Sequence, residues 1–590
     1  MLYLDVETYP DYFLIAMLSD SGQLATFERY PNHDFDSRTL RATLARHTVV
    51  TFNGNSYDLP MIAAALDGWD NAALKRFSDL LIKSKKPAWA VCRDAELRIP
   101  DQWDHIDLIN VAPGSASLKI YGGRMHAPKL QDLPYDPDDL VDAQMRDNLR
   151  RYCVNDLETT RLLHEALTKA VTLREQMGEQ YGMDLRSKSD AQIAETVIKS
   201  ELTARTGKRY TAPKMVDDYS FRYRDPGVVR FDDPELQAIF ERMTQTDFTL
   251  SANGGVAMPD WIKGTRPEIN GRTYQMGIGG LHSMEKRQCV RADDDHFVFE
   301  LDVASYYPNI ILQQQLAPET MGAEFLDVYG EIVKRRLDAK ASGDKSTADS
   351  LKIAVNGSFG KLGSKYSALY SPDLLIQTTV TGQLALLMLI ERVTKAGAEV
   401  VSANTDGIVV RCRRECEYAV EAAAFDWMLD TTYELERTDY RLIASRDVNN
   451  YLAVKSEGGT KGKGAFADPN LMKNPDGQIV YSAVSQYAEH ATPIEQSIKG
   501  CDDLRRFVTV RQVKGGAVWR DKMLGKAVRW YRSREVPEDE CIRYASNGNK
   551  VPRSDGGKPV MDLPDSLPGD IDYDAYIADA EKLLSEVGLA

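Results

Sequence analysis

The sequence predicts a multidomain protein of mixed α/β and α+β class. Three observations carry this. The 590 residues suit roughly four domains at ~150 residues each. The first 60 residues hold two strand candidates, LYLDVE and TVVTFN, in an α/β setting. Further on, a hydrophobic strand ending at Asp302 (FVFELD) and a strand–turn–strand, EVVSANTDGIVVRC, are separated by helical segments.

Composition narrows the class. An apolar share of 43% and a charged share of 27% are those of a soluble globular chain. No run approaches the ~20 apolar residues of a membrane span. The start, MLYLDVETYP, has no basic region before its apolar residues, so it does not read as a signal peptide. The seven cysteines are scattered; Cys412 and Cys416 are the closest pair, with no second pair or His cluster to complete a zinc site. A reduced, cytoplasmic location is expected. The net charge of −15 leans against nucleic acid as a partner, but a binding face needs only local positive charge. Residues 501–535 supply 10 Lys/Arg against 4 Asp/Glu, with Trp519, Trp530 and Tyr531 among them. This segment reads equally well as a nucleic-acid face or as a solvated basic helix.

The elements follow in order. Residues 141–178 read as one or two helices. A turn- and charge-rich stretch, 205–272, separates the halves. The run GIGGLHS (277–283) marks a tight backbone passage. After the strand to Asp302 come helical segments around 320–341 and 346–360, and a long helix around 376–396. The hairpin follows, then a mixed basic segment and a terminal helix, DYDAYIADAEKLLSEVG. There are no repeats or low-complexity tracts.

Two acidic constellations carry the chemistry. In the first, Asp5 and Glu7 sit two apart in a strand and point to one face. FNGNSYDLP adds Asp58, with Asn53 five residues before it. RYCVNDLETT adds Tyr152 and Asp156 at i and i+4, on one face of a helix. Four carboxylates and a phenol suit two hard divalent cations ~3.5–4 Å apart and an attacking water. Each piece alone is an ordinary surface pattern; the ordered set is not.

In the second constellation, Asp302 closes a strand and Asp406 sits in a hairpin turn with Asn404 and Gly407. Such a pair can clamp two Mg²⁺ ions, one activating a 3′-hydroxyl and one neutralising a triphosphate. Between them lies KIAVNGSFG. On a helix its Lys352, Asn356, Phe359 and Gly360 share a face, offering a cation, an amide, a ring and a gap. Arg336 and Lys340, also i and i+4, add positive charge for phosphates or form an ordinary exposed face.

The first set resembles the three exonuclease motifs of DnaQ-like, RNase H-fold proofreading domains. The resemblance covers roughly residues 1–170 and implies an active 3′→5′ exonuclease. It makes Asp5, Glu7, Asp58 and Asp156 metal ligands, Tyr152 the residue that orients the water, and Asn53 a contact to the primer end. The second set resembles motifs A, B and C of B-family DNA polymerases. Motif A, D-x-x-S-L-Y-P in the family, is here D-V-A-S-Y-Y-P. The resemblance makes Asp302 and the Val303 carbonyl metal ligands and Tyr307 the steric gate against a ribose 2′-hydroxyl. Motif B, K-x-x-x-N-S-x-Y-G, is here K-I-A-V-N-G-S-F-G, with Gly357 for Ser and Phe359 for Tyr. Motif C, D-T-D, is here Asn404-Thr405-Asp406, with one acid replaced by an amide. Gly277-Ile278-Gly279-Gly280 is similar to the Y-x-G-G linker motif, with Tyr274 the nearest aromatic. NNYLAVKSEGGTKGKGAF is similar to the K-x-Y region, with Tyr451 matching and Asn449 where Lys is expected. Gly279, Gly280, Gly360, Thr405, Tyr451, Lys455, Lys461 and Lys463 are then DNA-facing positions.

The resemblance implies an RNase H-like exonuclease domain followed by a right-hand polymerase. The expected boundaries are 1–175 exonuclease, 176–272 connecting region, 273–315 and 362–455 palm, 316–361 short fingers, and 456–590 thumb and C-terminal segment. Mg²⁺ is the expected cofactor, two per site, with Mn²⁺ as a substitute. Primer–template DNA and dNTPs are the expected partners of a monomeric catalytic chain, with a clamp, helicase or other replisome protein beside it. Starting at the first exonuclease strand, the chain looks like a minimal, phage-type enzyme. Two other readings stand beside this one. One is an exonuclease whose degenerate polymerase half only binds DNA. The other is a structural DNA binder, which six carboxylates disfavour because acids repel phosphate unless a metal intervenes.

The spacings exclude more. Only about 40 residues (312–351) separate motifs A and B, and about 45 separate motifs B and C. The two insertions of protein-primed phage polymerases do not fit. The expectation is primer extension without protein priming and without high intrinsic processivity. Extension by the purified chain against trap DNA should yield short products per binding event, not kilobases.

Overall fold

Alternation along LYLDVET sets the architecture of the N-terminal unit. The strand Leu2–Thr8 (β1) buries Leu4 and Val6 on one face, and presents Tyr3, Asp5 and Glu7 on the other. In the computed structural model, which describes residues 1–214 and 219–590, β1 lies at the centre of a five-stranded sheet. It pairs antiparallel with Phe13–Ser19 (β2), which in turn pairs with Leu24–Arg29 (β3). On its other side it runs parallel to Val49–Thr51 (β4), and β4 to His105–Asp107 (β5). The order is β3-β2-β1-β4-β5.

Helices cover both faces of this sheet. Asp58–Leu66 (α1), buried along its whole length, packs on the Leu4–Val6 side with residues 37–46 and 71–83. Leu118–Arg124 (α2) and the 24-residue Ala143–Ala166 (α3) belong to the other side, where Leu149, Cys153, Leu157 and Leu163 join the Tyr3 core. That helix therefore faces Asp5 and Glu7.

The chain forms two compact units, and the C-terminal region is divided between them. Residues 469–479 and 499–576 belong with 1–189, whereas 190–468, 480–498 and 577–590 form the second unit. The expected thumb, 456–590, is thus not one body. Its basic segment is also not a solvated helix. Thr509–Trp519 and Lys522–Arg532 form a hairpin, joined by Arg543–Tyr544 and Gly557–Pro559 into a four-stranded sheet. The reason is alternation: Val513, Ala517, Val528 and Trp530 point into a core, and Arg520 and Asp521 turn the chain at φ 46° and 62°. Trp530 and Tyr531 are buried, so they present no stacking face. Arg529, fully buried, donates to the carbonyls of Ala127 (2.8 Å), Val560 (2.9 Å) and Met561 (3.0 Å). It ties this sheet to the loop after α2.

The second unit is built on a ten-stranded sheet. Before it comes Asp190–Thr206 (α4). Its strands in chain order are Glu268–Ile269 (β6), Arg272–Gln275 (β7), His282–Ser283 (β8), Gln288–Arg291 (β9) and His296–Val303 (β10), then Ala398–Asn404 (β11), Gly407–Arg413 (β12), Leu435–Asp447 (β13), Asn450–Lys455 (β14) and Thr460–Lys463 (β15). Their order is β15-β14-β13-β10-β12-β11-β8-β7-β6, with β9 paired to β13. Between β10 and β11 run Tyr306–Gln313 (α5), Glu324–Ser342 (α6), Lys345–Leu362 (α7) and Pro372–Lys395 (α8). Helix α8 is long and apolar enough to cross a membrane by length and composition, but 89% of its most apolar window is buried in the protein. Glu417–Thr431 (α9) packs against it, with Trp427 Nε1 donating to Ala385 O (2.8 Å).

The two helices expected between motifs A and B, α6 and α7, gain a third. Helix α4, from the expected connecting region, packs along both. Glu195 accepts from Ala368 N (2.9 Å) and pairs with Lys361 (3.4 Å), and Arg205 pairs with Glu331. Contact is tight at Gly357, where a Cβ would lie 2.7 Å from Asp190 O and 2.9 Å from Ala194 Cβ. The glycine that departs from motif B is thus the notch that seats α4. Gly357→Ser, which restores the family residue, should destabilise the protein by about 1–2 kcal/mol in chemical denaturation, overpacking outweighing the gain in helix propensity.

Two candidate active sites

The N-terminal unit gathers its predicted acids at one end of the sheet. β1 delivers Asp5 and Glu7, both half-buried, and α3 delivers Tyr152 and Asp156, both buried. Asp58 opens α1 and is also buried. The loop before it is held by Asp107, whose carboxylate accepts from Asn53 N (2.8 Å) and Asn55 N (3.0 Å). Asn53 takes a left-handed backbone (φ 73°), the conformation in which Asn is best tolerated.

The charges in this site oppose one another. Asp5 is pushed up to about 7 by burial and then by Asp156. Glu7 is held well above its ordinary range by burial and then Asp5, and Asp58 by burial, then Asp5 and Asp107. The Cys153 thiol donates to Asp5 Oδ2 (3.4 Å), and burial keeps it protonated. Oxygens of Asp5 and Glu7 and the Cys153 sulfur lie within 4.8 Å of one another. Two carboxylates at that spacing suit a hard divalent cation; the neutral thiol serves as a donor to Asp5, not as its ligand.

Sequence reasoning missed Lys119. From α2, its Nζ donates to Tyr152 Oη (2.8 Å) and to both oxygens of Asp156, and lies over the Tyr152 ring (4.2 Å). Nothing local in ASLKIYGG marks it, because its partners are 33 and 37 residues away. Asp107 was missed for the same reason.

In the second unit, β10 runs beside β12, and Asp302 pairs in register with Gly407. Asp406 lies in the turn between β11 and β12, and its carbonyl accepts from Val303 N (2.7 Å). A Cβ on Gly407 would lie 2.8 Å from Asp302 Oδ1, so glycine lets the strand-end acid sit against the hairpin. Asp302 is pushed up to about 7 by burial, then by Asp406 and Glu300. Asp406 is raised by burial, with Lys463 acting against the shift. Lys461 is committed to Glu300 (2.7 Å), which also accepts from Tyr440 Oη (2.6 Å). Lys461 is therefore a neutralising partner within the site, and Lys463 and Asp406 influence each other's charge. Lys455 instead lines a cavity of ≈ 630 Å³ with Phe297, Arg414 and Tyr440.

The helices bring the remaining residues in. Tyr307 lies in the first turn of α5 and its ring meets that of Phe359 from α7 at 4.4 Å. Tyr306 is buried beneath, donating to Gly382 O (2.7 Å). Arg336 donates to Ser305 Oγ (3.1 Å), so α6 touches motif A. Lys340 lies near Glu436 (3.5 Å) on an exposed face. Lys352, Asn356 and Gly360 line the exposed side of α7, and a Cβ on Gly360 would meet nothing within 4 Å. Gly279 is equally open. The loop carrying it is clamped by Gln383 of α8, which accepts from Gly277 N (2.9 Å) and donates to Gly277 O (2.9 Å) and Gly279 O (2.6 Å). Tyr274 is fully buried in β7 and does not join that loop. Tyr451 pairs in register with Lys463.

Residues 2–168 match the RNase_H_2 model of the RNase H superfamily. Part of the chain is similar to DNA polymerase 1 of Aeropyrum pernix, 26% identical over 209 residues, covering 29% of this chain and 21% of that protein. The match thus spans about a fifth of the archaeal protein's length. The family B DNA polymerase of the hyperthermophilic archaeon Pyrobaculum calidifontis aligns with a TM-score of 0.42 and 15% identity, over 99% of this chain and 77% of that one. The N-terminal unit contains an RNase H superfamily domain. In the sequence this RNase H-like domain stands ahead of the strands that bear Asp302 and Asp406.

The raised Asp302 carboxyl makes a stability prediction. Between its ordinary 3.8 and about 7 the folded protein holds a proton that the unfolded chain releases. Stability of the metal-free protein therefore falls as pH rises through that window. Asp302→Asn removes this penalty. In EDTA at pH 8 it should melt higher than the parent, by on the order of 1 kcal/mol after solvent screening of a partly exposed group, with no gain at pH 4.

Proposed function

We propose that this chain is a template-directed DNA polymerase that adds dNTPs to a primer 3′ end and edits with a 3′→5′ exonuclease. The observation that carries the reading is the pair of separate acid clusters, one in each unit, in which Asp5, Glu7, Asp58, Asp302 and Asp406 are driven upward by burial and by neighbouring acids. Such groups ionise fully only beside added positive charge, and hard oxygen donors favour Mg²⁺ or Mn²⁺.

In synthesis, Asp302, Asp406 and the Val303 carbonyl would hold two cations. Divalent ions in such a site lower the pKa of an attacking hydroxyl and stabilise charge on the phosphoryl oxygens. Lys352, Arg336 and Lys463 attract the triphosphate. Tyr307, braced by Phe359, fills the space a ribose 2′-hydroxyl would need. The primer 3′-hydroxyl then attacks the α-phosphorus and pyrophosphate leaves. In editing, Asp5, Glu7, Asp58 and Asp156 would hold the ions. Tyr152, its phenol kept neutral by burial and by Asp156, orients the water through its hydroxyl. Lys119 sets that hydroxyl and the Asp156 carboxylate in place.

A labelled primer–template with Mg²⁺ tests the reading. The parent should lengthen the primer with dNTPs and shorten it without them. Asp302→Ala or Asp406→Ala should abolish extension alone, and Asp5→Ala with Glu7→Ala should abolish degradation alone. Lys119→Met should slow degradation about 10- to 100-fold, as the loss of one positioned polar group does, and leave extension unchanged. Tyr307→Ala should raise rNTP incorporation. Degradation without extension in the parent would leave the nuclease reading in its place.

A further inference from the structure

We infer that Asn404, which stands where the D-T-D pattern has an acid, is a positioning residue that fastens the hairpin tip bearing Asp406 through an amide donor a carboxylate lacks. This rests on the polymerase reading of the site. Asn404 ends β11 and pairs in register with His282 of β8 and with Gly407. Its Nδ2 donates to Val448 O (3.0 Å), in the turn between β13 and β14. Its Oδ1 accepts from Thr405 Oγ1 (3.2 Å), and His282 hydrogen-bonds the same side chain. The amide thus uses both its donor and its acceptor.

The rest of the tip is held by backbone. Thr405, at φ 61°, donates its N–H to Leu281 O (2.8 Å). Asp406 N–H turns back to Asn404 O (2.7 Å), and Asp406 O accepts from Val303 N. A Cβ on Gly280 would lie 2.5 Å from Thr405 Oγ1, so that glycine is the cradle for the turn. The Asn404 amide adds a side-chain tie from this tip to the β13–β14 turn. An aspartate at this position keeps the acceptor bonds, but turns a second lone-pair oxygen towards Val448 O at about the same distance. It also adds a negative charge beside Asp406 and Asp302, which already repel. The missing acid of motif C is on this account a working substitution, not decay.

The test uses the full chain with Asn404→Asp and Asn404→Leu, the exonuclease serving as internal control. Both variants should lower the extension kcat by about 10- to 100-fold, the effect of a misplaced catalytic group, while degradation is unchanged. The half-saturating Mg²⁺ concentration for extension should not fall in Asn404→Asp. Hydrogen exchange in EDTA should quicken at Thr405 and Asp406 in both variants. Extension by Asn404→Asp at or above the parent rate, with Mg²⁺ half-saturation at lower concentration, would mark position 404 as a ligand site and overturn the inference. Unchanged exchange at the tip would overturn it as well. If the parent itself fails to extend primers, the polymerase reading fails, and the metal-free exchange result still decides whether Asn404 fastens the tip.

Discussion

Repulsion between carboxylates is the constraint around which both units are arranged. Asp5, Glu7, Asp58 and Asp156 converge at one end of a sheet, and Asp302 meets Asp406 at the end of another. Placing like charges together in partly dry surroundings costs stability, and the cost is retained only where the surrounding fold over-determines it. Here the fold does so by burying the strand residues that flank Asp5, Glu7 and Asp302. Leu4 and Val6 anchor β1 from the opposite face, and Leu301 and Val303 anchor β10. Lysines relieve part of the repulsion in each site, Lys119 in one and Lys461 and Lys463 in the other.

Close backbone approach is the second device. Gly407 lets Asp302 lie against the hairpin, Gly280 receives Thr405, and Gly357 receives α4. In each case a Cβ would collide with a group that belongs to a different element. Gln383 of α8 then fixes the loop that carries Gly279 and Gly280. The geometry around Asp302 and Asp406 is therefore set by the long buried helix and the central strands, not by the loops that hold the residues. This is the arrangement expected when groups must stay within a fraction of an ångström of a productive position.

Much of this was legible in the sequence, for physical reasons. Period-two alternation put Asp5 and Glu7 on one face, and i, i+4 spacing put Tyr152 and Asp156 on one helix. The strand before Asp302 and the turn at Asp406 were readable from β-branched runs and turn formers. What escaped was long-range. Lys119, Asp107 and Gln383 act on partners far along the chain, with no local pattern to mark them. Helix α4 lies in a stretch whose turns and charges read as a connection. The charge of the basic segment around Trp530 masks the alternating Val, Ala and Trp residues of a buried strand. Within their own motifs Asn404 and Gly357 are only departures from the family pattern; their partners, Val448 and Asp190, lie on other elements.

The central claim is that the chain holds two independent divalent-cation centres, one in each unit. Mn²⁺ binding measured by calorimetry and electron paramagnetic resonance on DNA-free protein tests it most directly. The parent should bind in two classes. Asp302→Asn with Asp406→Asn should remove one class and leave the other intact, and Asp5→Asn with Glu7→Asn should do the reverse. Loss of both classes from either double variant, or of neither, would contradict the account.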